Sequence, residues 1–254
     1  MIDSHSHIFL EEFDDDRADV VLRAKAAGVE RIVLPNVDVA TIGRLYETAA
    51  AFPDICVMAM GLHPTSVTEN YLHDLEIVEH SLDAGRFVAI GEVGMDLYWD
   101  KTFAEQQKDA LRRQVQWAID RNMPLILHVR DAFAETVEVL REFPSERLRG
   151  VFHSFTGTPD EAAVIFSLGD FKLGINGVVT FKKSDWHEAL PFIGLENLLL
   201  ETDCPYLTPV PYRGRRNESA YVAYVCQKLA EIFGVSVDEV DRLTTENAKR
   251  LFGL

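Results

Sequence analysis

Short apolar segments alternate with longer segments of helical periodicity along the whole 254-residue chain. Eight apolar segments have the length of buried β-strands, at 1–5, 31–35, 55–60, 87–91, 124–127, 148–152, 171–175 and 197–200. Helical periodicity marks segments between them, as at 103–121, 160–168 and 219–233. Strict alternation of strands and helices over this length predicts an α/β fold, a parallel sheet closed as a (β/α)8 TIM barrel.

An open doubly wound sheet is the alternative arrangement of such elements. The glycine motifs GxGxxG and GxxxxGK[ST], which bind dinucleotides or phosphates in that fold, do not occur in the sequence. No linker rich in Pro, Gly or Ser divides the chain, so residues 1–254 are expected to form a single domain. Two short helices, at 237–243 and 245–252, are expected to pack under or beside the barrel.

Six side chains that bind metals follow the ends of the predicted strands. They are His5 and His7 after strand 1, Glu92 after strand 4, His128 after strand 5, His153 after strand 6 and Asp203 after strand 8. A single histidine at a strand end is usually a hydrogen-bonded structural residue. Six such residues share the rim where barrel enzymes hold their active sites. Four imidazoles and two carboxylates suit borderline divalent ions, so the pattern predicts a metal site.

Charge and composition exclude several classes of protein. The net charge is −16, from 25 basic and 41 acidic residues, whereas proteins that bind long stretches of nucleic acid carry a basic stripe. Basic residues cluster only locally, at 182–183 and among Arg213, Arg215 and Arg216, and solvated surface charge is the simplest interpretation of each cluster.

The segments that would direct the chain to a membrane are missing from the sequence. No apolar run approaches the roughly 18 residues of a membrane span, and the N-terminus does not resemble a signal peptide. The 3 cysteines are odd in number and have no CxxC spacing, which is typical of reduced thiols. A cytoplasmic protein with no membrane association is therefore expected, and no obligate protein partner is evident.

Motifs from end to end resemble those of the TatD family of metal-dependent hydrolases. They include Asp3-Ser4-His5-Ser6-His7, Gly61-Leu62-His63-Pro64, Gly91-Glu92-Val93-Gly94-Met95-Asp96, Pro124-Leu125-Ile126-Leu127-His128-Val129-Arg130, His153-Ser154-Phe155-Thr156-Gly157, Gly174-Ile175-Asn176-Gly177, Glu201-Thr202-Asp203-Cys204-Pro205 and Arg213-Gly214. Ser219 replaces a proline that is common in the family, which puts fine substrate preference in doubt. The resemblance implies an amidohydrolase-like barrel with two divalent metal ions, whose identity among Zn, Mg and Mn stays open.

The resemblance also implies roles for the rim residues. His5, His7 and Asp203 would hold one ion, His128 and His153 the other, and Glu92 would bridge them. Two divalent ions bring four positive charges against two carboxylates, so the pocket would attract an anionic substrate inside an acidic protein.

Further side chains are expected to act on the substrate or on the ligands. Asp203 is the best candidate for the general base. His63 would contact phosphate or the leaving group, or only fix the turn before Pro64. Arg130 and Arg213 are candidate phosphate clamps, unless they pair with acids at the rim. Glu201 and Asp96 are expected to orient ligating histidines.

The expected function is a two-metal phosphodiesterase that trims single-stranded DNA ends in the 3'-to-5' direction. The alternative is an ester or amide hydrolase, such as a D-aminoacyl-tRNA deacylase, because polarising a carbonyl and a phosphoryl group requires the same residues. A catalytically inactive binding scaffold is a third possibility, against which the intact ligand set argues.

Overall fold

The computed structural model describes residues 1–182, 187 and 189–254. Eight parallel strands form one sheet in the order β1 to β8: Ile2–Asp3, Arg31–Pro35, Cys56–Met60, Ala89–Asp96, Leu125–Arg130, Arg149–Phe152, Asp170–Ile175 and Leu198–Leu200. The predicted (β/α)8 barrel is confirmed. Lys183, part of the basic pair noted in the sequence, lies outside the described residues.

Backbone hydrogen bonds between the first and last strands close the barrel. The Ser4 amide donates to the Leu200 carbonyl at 2.9 Å, and the Asp203 amide donates to the His5 carbonyl at 2.9 Å. The His7 amide donates to the Cys204 carbonyl at 2.8 Å. The segments that follow β1 and β8 thus continue side by side beyond the strands. This pairing brings residues from opposite ends of the sequence to one point on the rim.

Helices cover the outside of the sheet, and apolar side chains between the two layers form the main core. The α-helices of the described chain are α1 to α9: Arg17–Ala26, Ile42–Ala51, Tyr71–Ala84, Ala104–Arg121, Phe133–Leu140, Pro159–Leu168, Leu190–Ile193, Val222–Phe233 and Val237–Phe252. In the part of the chain that the structure describes, no helix is both long and apolar enough to span a membrane.

The C-terminal segment forms one helix, α9, so the prediction of two separate short helices was wrong. Ser236 caps its start by accepting a hydrogen bond from the Glu239 amide at 3.1 Å. Thr244, at the expected break, is accommodated because its hydroxyl donates to the Val240 carbonyl at 2.7 Å. The helix ends at Gly253, which adopts a φ of 72°.

Helix α9 closes the end of the barrel opposite the predicted metal site. Its buried side chains Ala248, Leu251 and Phe252 pack against inward-facing residues of the strands: Ile2, Val33, Ala59, Ala89, Ile126, Val151 and Leu199. The Asn247 side chain of α9 also donates to the Leu198 carbonyl at 3.0 Å, at the first residue of β8, which places the helix at the N-terminal face of the barrel. Packing at this face serves stability, since barrel enzymes carry their chemistry at the other end.

Truncation of this plug should destabilise the protein without touching the metal site. Phe252 is only 5% exposed, so Phe252→Ala should lower the free energy of unfolding by about 3–5 kcal/mol in urea denaturation. The matched control is Val237→Ala at the exposed start of the same helix, where a change within about 0.5 kcal/mol is expected. Equal effects of the two substitutions would contradict the assignment of α9 as a structural plug.

Candidate metal centre

The Glu92 carboxylate lies at the centre of the rim residues, within β4 rather than at its end. The expected end of the strand at Gly91 was wrong: β4 runs on to Asp96 and pairs with β5, with a shift in register between Ile90 and Val93. Gly94 has a φ of 142° and lies so close to the His128 carbonyl that any Cβ would clash with it. The long strand carries Glu92 into the barrel, where its side chain is 3% exposed.

The two oxygens of Glu92 face two different sets of histidines. Oε2 lies 3.1 Å from His5 Nε2 and 3.5 Å from His7 Nε2. Oε1 lies 2.9 Å from His128 Nδ1, 2.9 Å from His153 Nε2 and 3.3 Å from His63 Nε2. A carboxylate with this surrounding can bind one cation through each oxygen.

The first set of ligand atoms comprises His5, His7 and Asp203. The Nε2 atoms of the two histidines are 3.1 Å apart, and Asp203 Oδ1 lies 3.6 Å from His5 Nε2 and 3.5 Å from His7 Nε2. The ligand atoms of one zinc-like ion, each about 2.0–2.2 Å from it, lie about 2.9–3.6 Å from one another. The set therefore fits a single divalent ion.

The second set surrounds Glu92 Oε1. His128 Nδ1 and His153 Nε2 are 3.2 Å apart, in addition to their contacts with the carboxylate. His63 Nε2 also lies close to this oxygen, and His63, Glu92 and His128 together meet the spacing of metal ligands. The six predicted ligands thus converge, and His63, which was expected to contact the substrate, lies beside the second set.

Acidic side chains outside these sets lie beside two of the histidines, and one of them, Asp96, is within hydrogen-bond distance of its histidine. Asp96 Oδ2 lies 3.0 Å from His128 Nε2, which leaves Nδ1 to face Glu92. Glu201 Oε1 lies 3.6 Å from His153 Nδ1 and accepts a hydrogen bond from the Ser154 amide at 2.6 Å. Gly174 leaves room for Glu201, whose carboxylate a Cβ at that position would overlap.

Asp3 is a structural carboxylate whose role the sequence did not reveal. It is fully buried and accepts hydrogen bonds from the Thr202 amide at 2.9 Å and the Thr202 hydroxyl at 2.7 Å. These bonds join the segment of His5 to that of Asp203. Burial raises the pKa of Asp3 to about 7, against the lowering by its hydrogen bonds. Its position in the Asp-Ser-His-Ser-His motif was the available signal.

Electrostatics keep the central carboxylates ionised. Burial raises the pKa of Glu92, but the surrounding histidines outweigh burial and hold it well below its usual range. The same balance, with His7, His153 and His5 as the stabilising groups, lowers the pKa of Asp203. Burial lowers the pKa of His5 and of His63, so both rings favour the neutral form that a metal ligand needs.

The residues expected to bind substrate occupy different positions. His63 Nδ1 accepts a hydrogen bond from the Thr65 amide at 3.2 Å, so this histidine fixes the turn and also directs Nε2 at Glu92. Arg130 is exposed at the end of β5, with its guanidinium carbon 3.9 Å from the centre of the Tyr98 ring. Arg213 is exposed on the loop after β8, 4.3 Å from the Phe181 ring centre. Among the described residues, neither arginine forms an ion pair with a carboxylate.

Comparison with known proteins identifies the family. A family model described as TatD related DNase matches residues 2–253. The chain belongs to this TatD family. The resemblance found in the motifs is therefore confirmed. The Ser219 departure from the family pattern lies in a buried position, where the hydroxyl is 3.1 Å from Ser6 Oγ.

Relatives match this TatD-family chain over its full length. It is 40% identical over 253 residues to the uncharacterized metal-dependent hydrolase YabD of Bacillus subtilis (strain 168), covering 99% of this chain and 98% of the relative. It is 33% identical over 260 residues to the 3'-5' ssDNA/RNA exonuclease TatD of Pectobacterium parmentieri (strain WPP163), covering 100% of both. The solved structure of YjjV, a TatD homologue from Escherichia coli K12, matches with a TM-score of 0.92 and 29% identity, covering 100% of this chain and 98% of that one. The protein is a metal-dependent hydrolase, as expected.

Loss of the Asp96 carboxylate should weaken metal binding through His128. The native carboxylate uses one oxygen for His128 Nε2 and the other for the Tyr98 amide, 3.0 Å from Oδ1. In Asp96→Asn one of these oxygens becomes an NH₂ group, which cannot accept a hydrogen bond, so one of the two contacts is lost. Metal affinity, measured by competition with a chelator, should fall about 10- to 100-fold. Asp100→Asn removes the same charge from an exposed position in the same loop and should leave the affinity unchanged. An equal loss in both variants would argue for a general charge effect.

Acid should release the bound metal, beginning above the ordinary imidazole range. Burial lowers the pKa of His128, but hydrogen bonds to Asp96 and Glu92 raise it further than burial lowers it, and Glu92 and Glu201 raise the pKa of His153 in the same way. Without metal, both rings therefore keep a proton to higher pH than free imidazole, near 6.5, and that proton competes with the ion. Equilibrium dialysis followed by elemental analysis should show metal content falling as pH drops from about 8 to about 5. Full occupancy at about pH 5 would contradict the histidine site.

Proposed function

We propose that the protein is a two-metal deoxyribonuclease that trims single-stranded DNA ends in the 3'-to-5' direction. The observation that carries the proposal is the placement of Glu92, whose two oxygens face separate sets of histidines at 2.9–3.5 Å. A carboxylate shared in this way suits a pair of ions that clamps both oxygens of an in-line displacement at phosphorus. The exonuclease named among the relatives supports DNA or RNA as the substrate class.

His5, His7 and Asp203 would hold one ion, and His128 and His153 the other, with Glu92 between them. Divalent ions bound there supply Lewis-acid polarisation of a phosphoryl group and lower the pKa of attacking water. Zn, Mg and Mn all remain candidates for this pair.

Asp203 is the proposed acceptor of the proton released by the attacking water. Its carboxylate is 15% exposed, so it borders both the histidines and the open end of the barrel. The lowered pKa keeps it ionised at neutral pH, as a proton acceptor must be. Its contacts with His5 and His7 hold the acceptor oxygen in place.

His63 is the proposed donor to a phosphate oxygen or to the leaving group. Because Nδ1 accepts from the Thr65 amide, the neutral ring carries its proton on Nε2. That proton points toward Glu92, 3.3 Å away, at the centre of the site. Arg130 and Arg213 are the proposed contacts for phosphates farther along the strand, since both guanidinium groups are exposed at the rim.

The acidic surface favours a short contact with DNA rather than an extended one. A net charge of −16 repels long duplexes, so affinity has to come from the metal pair and from local groups. A free strand end bound at the C-terminal rim of the barrel needs only such a short contact. The described cysteines are free and buried, which fits the cytoplasm as the compartment for this activity.

The test is cleavage of 5'-labelled single-stranded oligonucleotides in the presence of Mg, Mn or Zn. The wild-type protein should shorten them stepwise from the 3' end, whereas Glu92→Ala and the isosteric Glu92→Gln should lose activity and bound metal, because neither side chain supplies an anion to two ions. Glu76→Ala, at an 81% exposed position of α3, is the charge-matched control and should cleave normally. Circular dichroism would establish that the variants fold.

Other outcomes would overturn the proposal. Full activity of Glu92→Gln would remove the bridged metal pair. Hydrolysis of aminoacyl esters, with no cleavage of any oligonucleotide, would assign the site to ester chemistry. Metal binding without hydrolysis of either substrate would indicate a binding scaffold.

A further inference from the structure

Two large aromatic side chains are exposed on the loop between β4 and α4. The Tyr98 side chain is 52% exposed and that of Trp99 71%, and their ring centres are 4.9 Å apart with planes at 89°. The Arg130 guanidinium carbon lies 3.9 Å from the Tyr98 ring centre and 5.2 Å from that of Trp99. We refer to Tyr98, Trp99 and Arg130 as the rim cluster. Exposing an indole to this extent forgoes a large amount of apolar burial, so a ligand for it is worth seeking.

The rim cluster is joined to the metal centre through Asp96. One oxygen of this carboxylate accepts from the Tyr98 amide at 3.0 Å and from the Trp99 amide at 3.4 Å. The other oxygen lies 3.0 Å from His128 Nε2. Placement of the two aromatic residues and orientation of a proposed metal ligand therefore depend on the same side chain.

Arg130 belongs to the same end of the barrel. It follows His128 by two residues on β5, so both side chains project from the same side of the strand. Its Cα pairs with that of Asp96, and its carbonyl accepts from the Leu97 amide at 2.9 Å. The rim cluster thus stands directly outward from His128 on two adjacent strand ends.

From this geometry we propose that the rim cluster is a stacking site for a nucleobase of the single strand whose phosphodiester reaches the metal centre. The inference rests on the proposed function and adds how the strand is held. A base would stack on the exposed indole of Trp99, which every base can do through its π-face. The Arg130 guanidinium, which lies over the Tyr98 ring, has N–H groups to donate to the neighbouring phosphate.

This arrangement predicts a preference for single strands. In a duplex each base is stacked on its neighbours and paired, so it cannot reach an aromatic side chain at the rim. A free end offers unstacked bases. Recognition through stacking is tolerant of sequence, which suits an enzyme that shortens ends of any composition.

A second group of aromatic residues, between the end of β8 and the first turn of α8, is less suited to this role. Tyr212 and Tyr221 are stacked on each other, with ring centres 4.5 Å apart and planes at 6°. Tyr224 packs edge-on against both rings. Each of the two stacked rings therefore already has one face in contact within the protein.

The experiment compares Trp99→Ala and Trp99→Phe with the wild type on single-stranded oligonucleotides that carry normal bases or abasic residues near the 3' end. Trp99→Ala should raise KM for normal oligonucleotides about 5-fold or more with kcat little changed, and Trp99→Phe should restore much of the loss. On abasic oligonucleotides the wild type and Trp99→Ala should have the same KM. Phe192→Ala, at an 84% exposed aromatic position on α7, is the control and should match the wild type throughout.

Binding of the metal-loaded protein to the same oligonucleotides with phosphorothioate linkages, which resist hydrolysis, is measured by fluorescence anisotropy and tests the site without cleavage. The affinity of Trp99→Ala should fall by a similar factor, with normal bases only. Cleavage by the wild type with an unchanged KM in Trp99→Ala would overturn the stacking site and leave the proposed nuclease intact. Absence of cleavage would instead overturn the nuclease, and the anisotropy measurement would then decide the stacking site. An equal preference for normal over abasic strands in both proteins would place the base elsewhere and also overturn it.

Discussion

Burial of the Glu92 carboxylate inside a barrel is the constraint on which this structure depends. Moving an anion of this size out of water costs several kcal/mol even after the protein relaxes, and the cost is recovered only if cationic or hydrogen-bonding groups surround it. The structure meets this demand with five imidazoles drawn from four separate parts of the chain, which together hold the pKa of the carboxylate well below its usual range. Neutral histidines alone are a poor substitute for a full positive charge. Divalent ions would complete the neutralisation, so the same residues that make the site costly without metal make it a strong metal site.

Closure of the barrel is the second requirement, because the ligands of the first set come from opposite ends of the sequence. Asp3 and Thr202 are separated by 199 residues, yet two hydrogen bonds of 2.7 and 2.9 Å join them. Beyond them the backbones of His5 and Asp203 are bonded directly. Without these hydrogen bonds, the segments that carry His7 and Asp203 would be positioned independently of each other. Helix α9 fills the opposite end of the barrel. The residues that stabilise the fold there are thus separate from those that would carry out the chemistry.

The sequence was sufficient for the architecture and for the convergence of the six candidate ligands, since alternation of strands and helices places every strand end on one rim. It was insufficient where one residue depends on a distant partner. The predicted strand 4 ends at Gly91, whereas pairing with β5 carries the strand on to Asp96. The last helix was predicted in two parts on either side of Thr244, whereas the Thr244 hydroxyl is satisfied within one continuous helix. Asp3 could not be recognised as buried before Thr202 was placed beside it. Nor could Trp99 be distinguished from a core aromatic residue, because periodicity does not report exposure.

The division between strand and loop also indicates where members of this family can differ. Glu92 and His128 lie on strands and His5, His7, His153 and Asp203 in segments joined to the sheet by backbone hydrogen bonds, so their positions follow from the barrel itself. The exposed groups at the rim, Trp99 and Arg213, stand on loops, which change more easily in evolution without cost to the core. A metal centre of this kind can hydrolyse a phosphodiester or a carboxylic ester with the same groups. The choice of substrate is therefore expected to depend on the loops. An exposed indole beside a guanidinium favours an anionic polymer with flat, unpaired bases over a small ester.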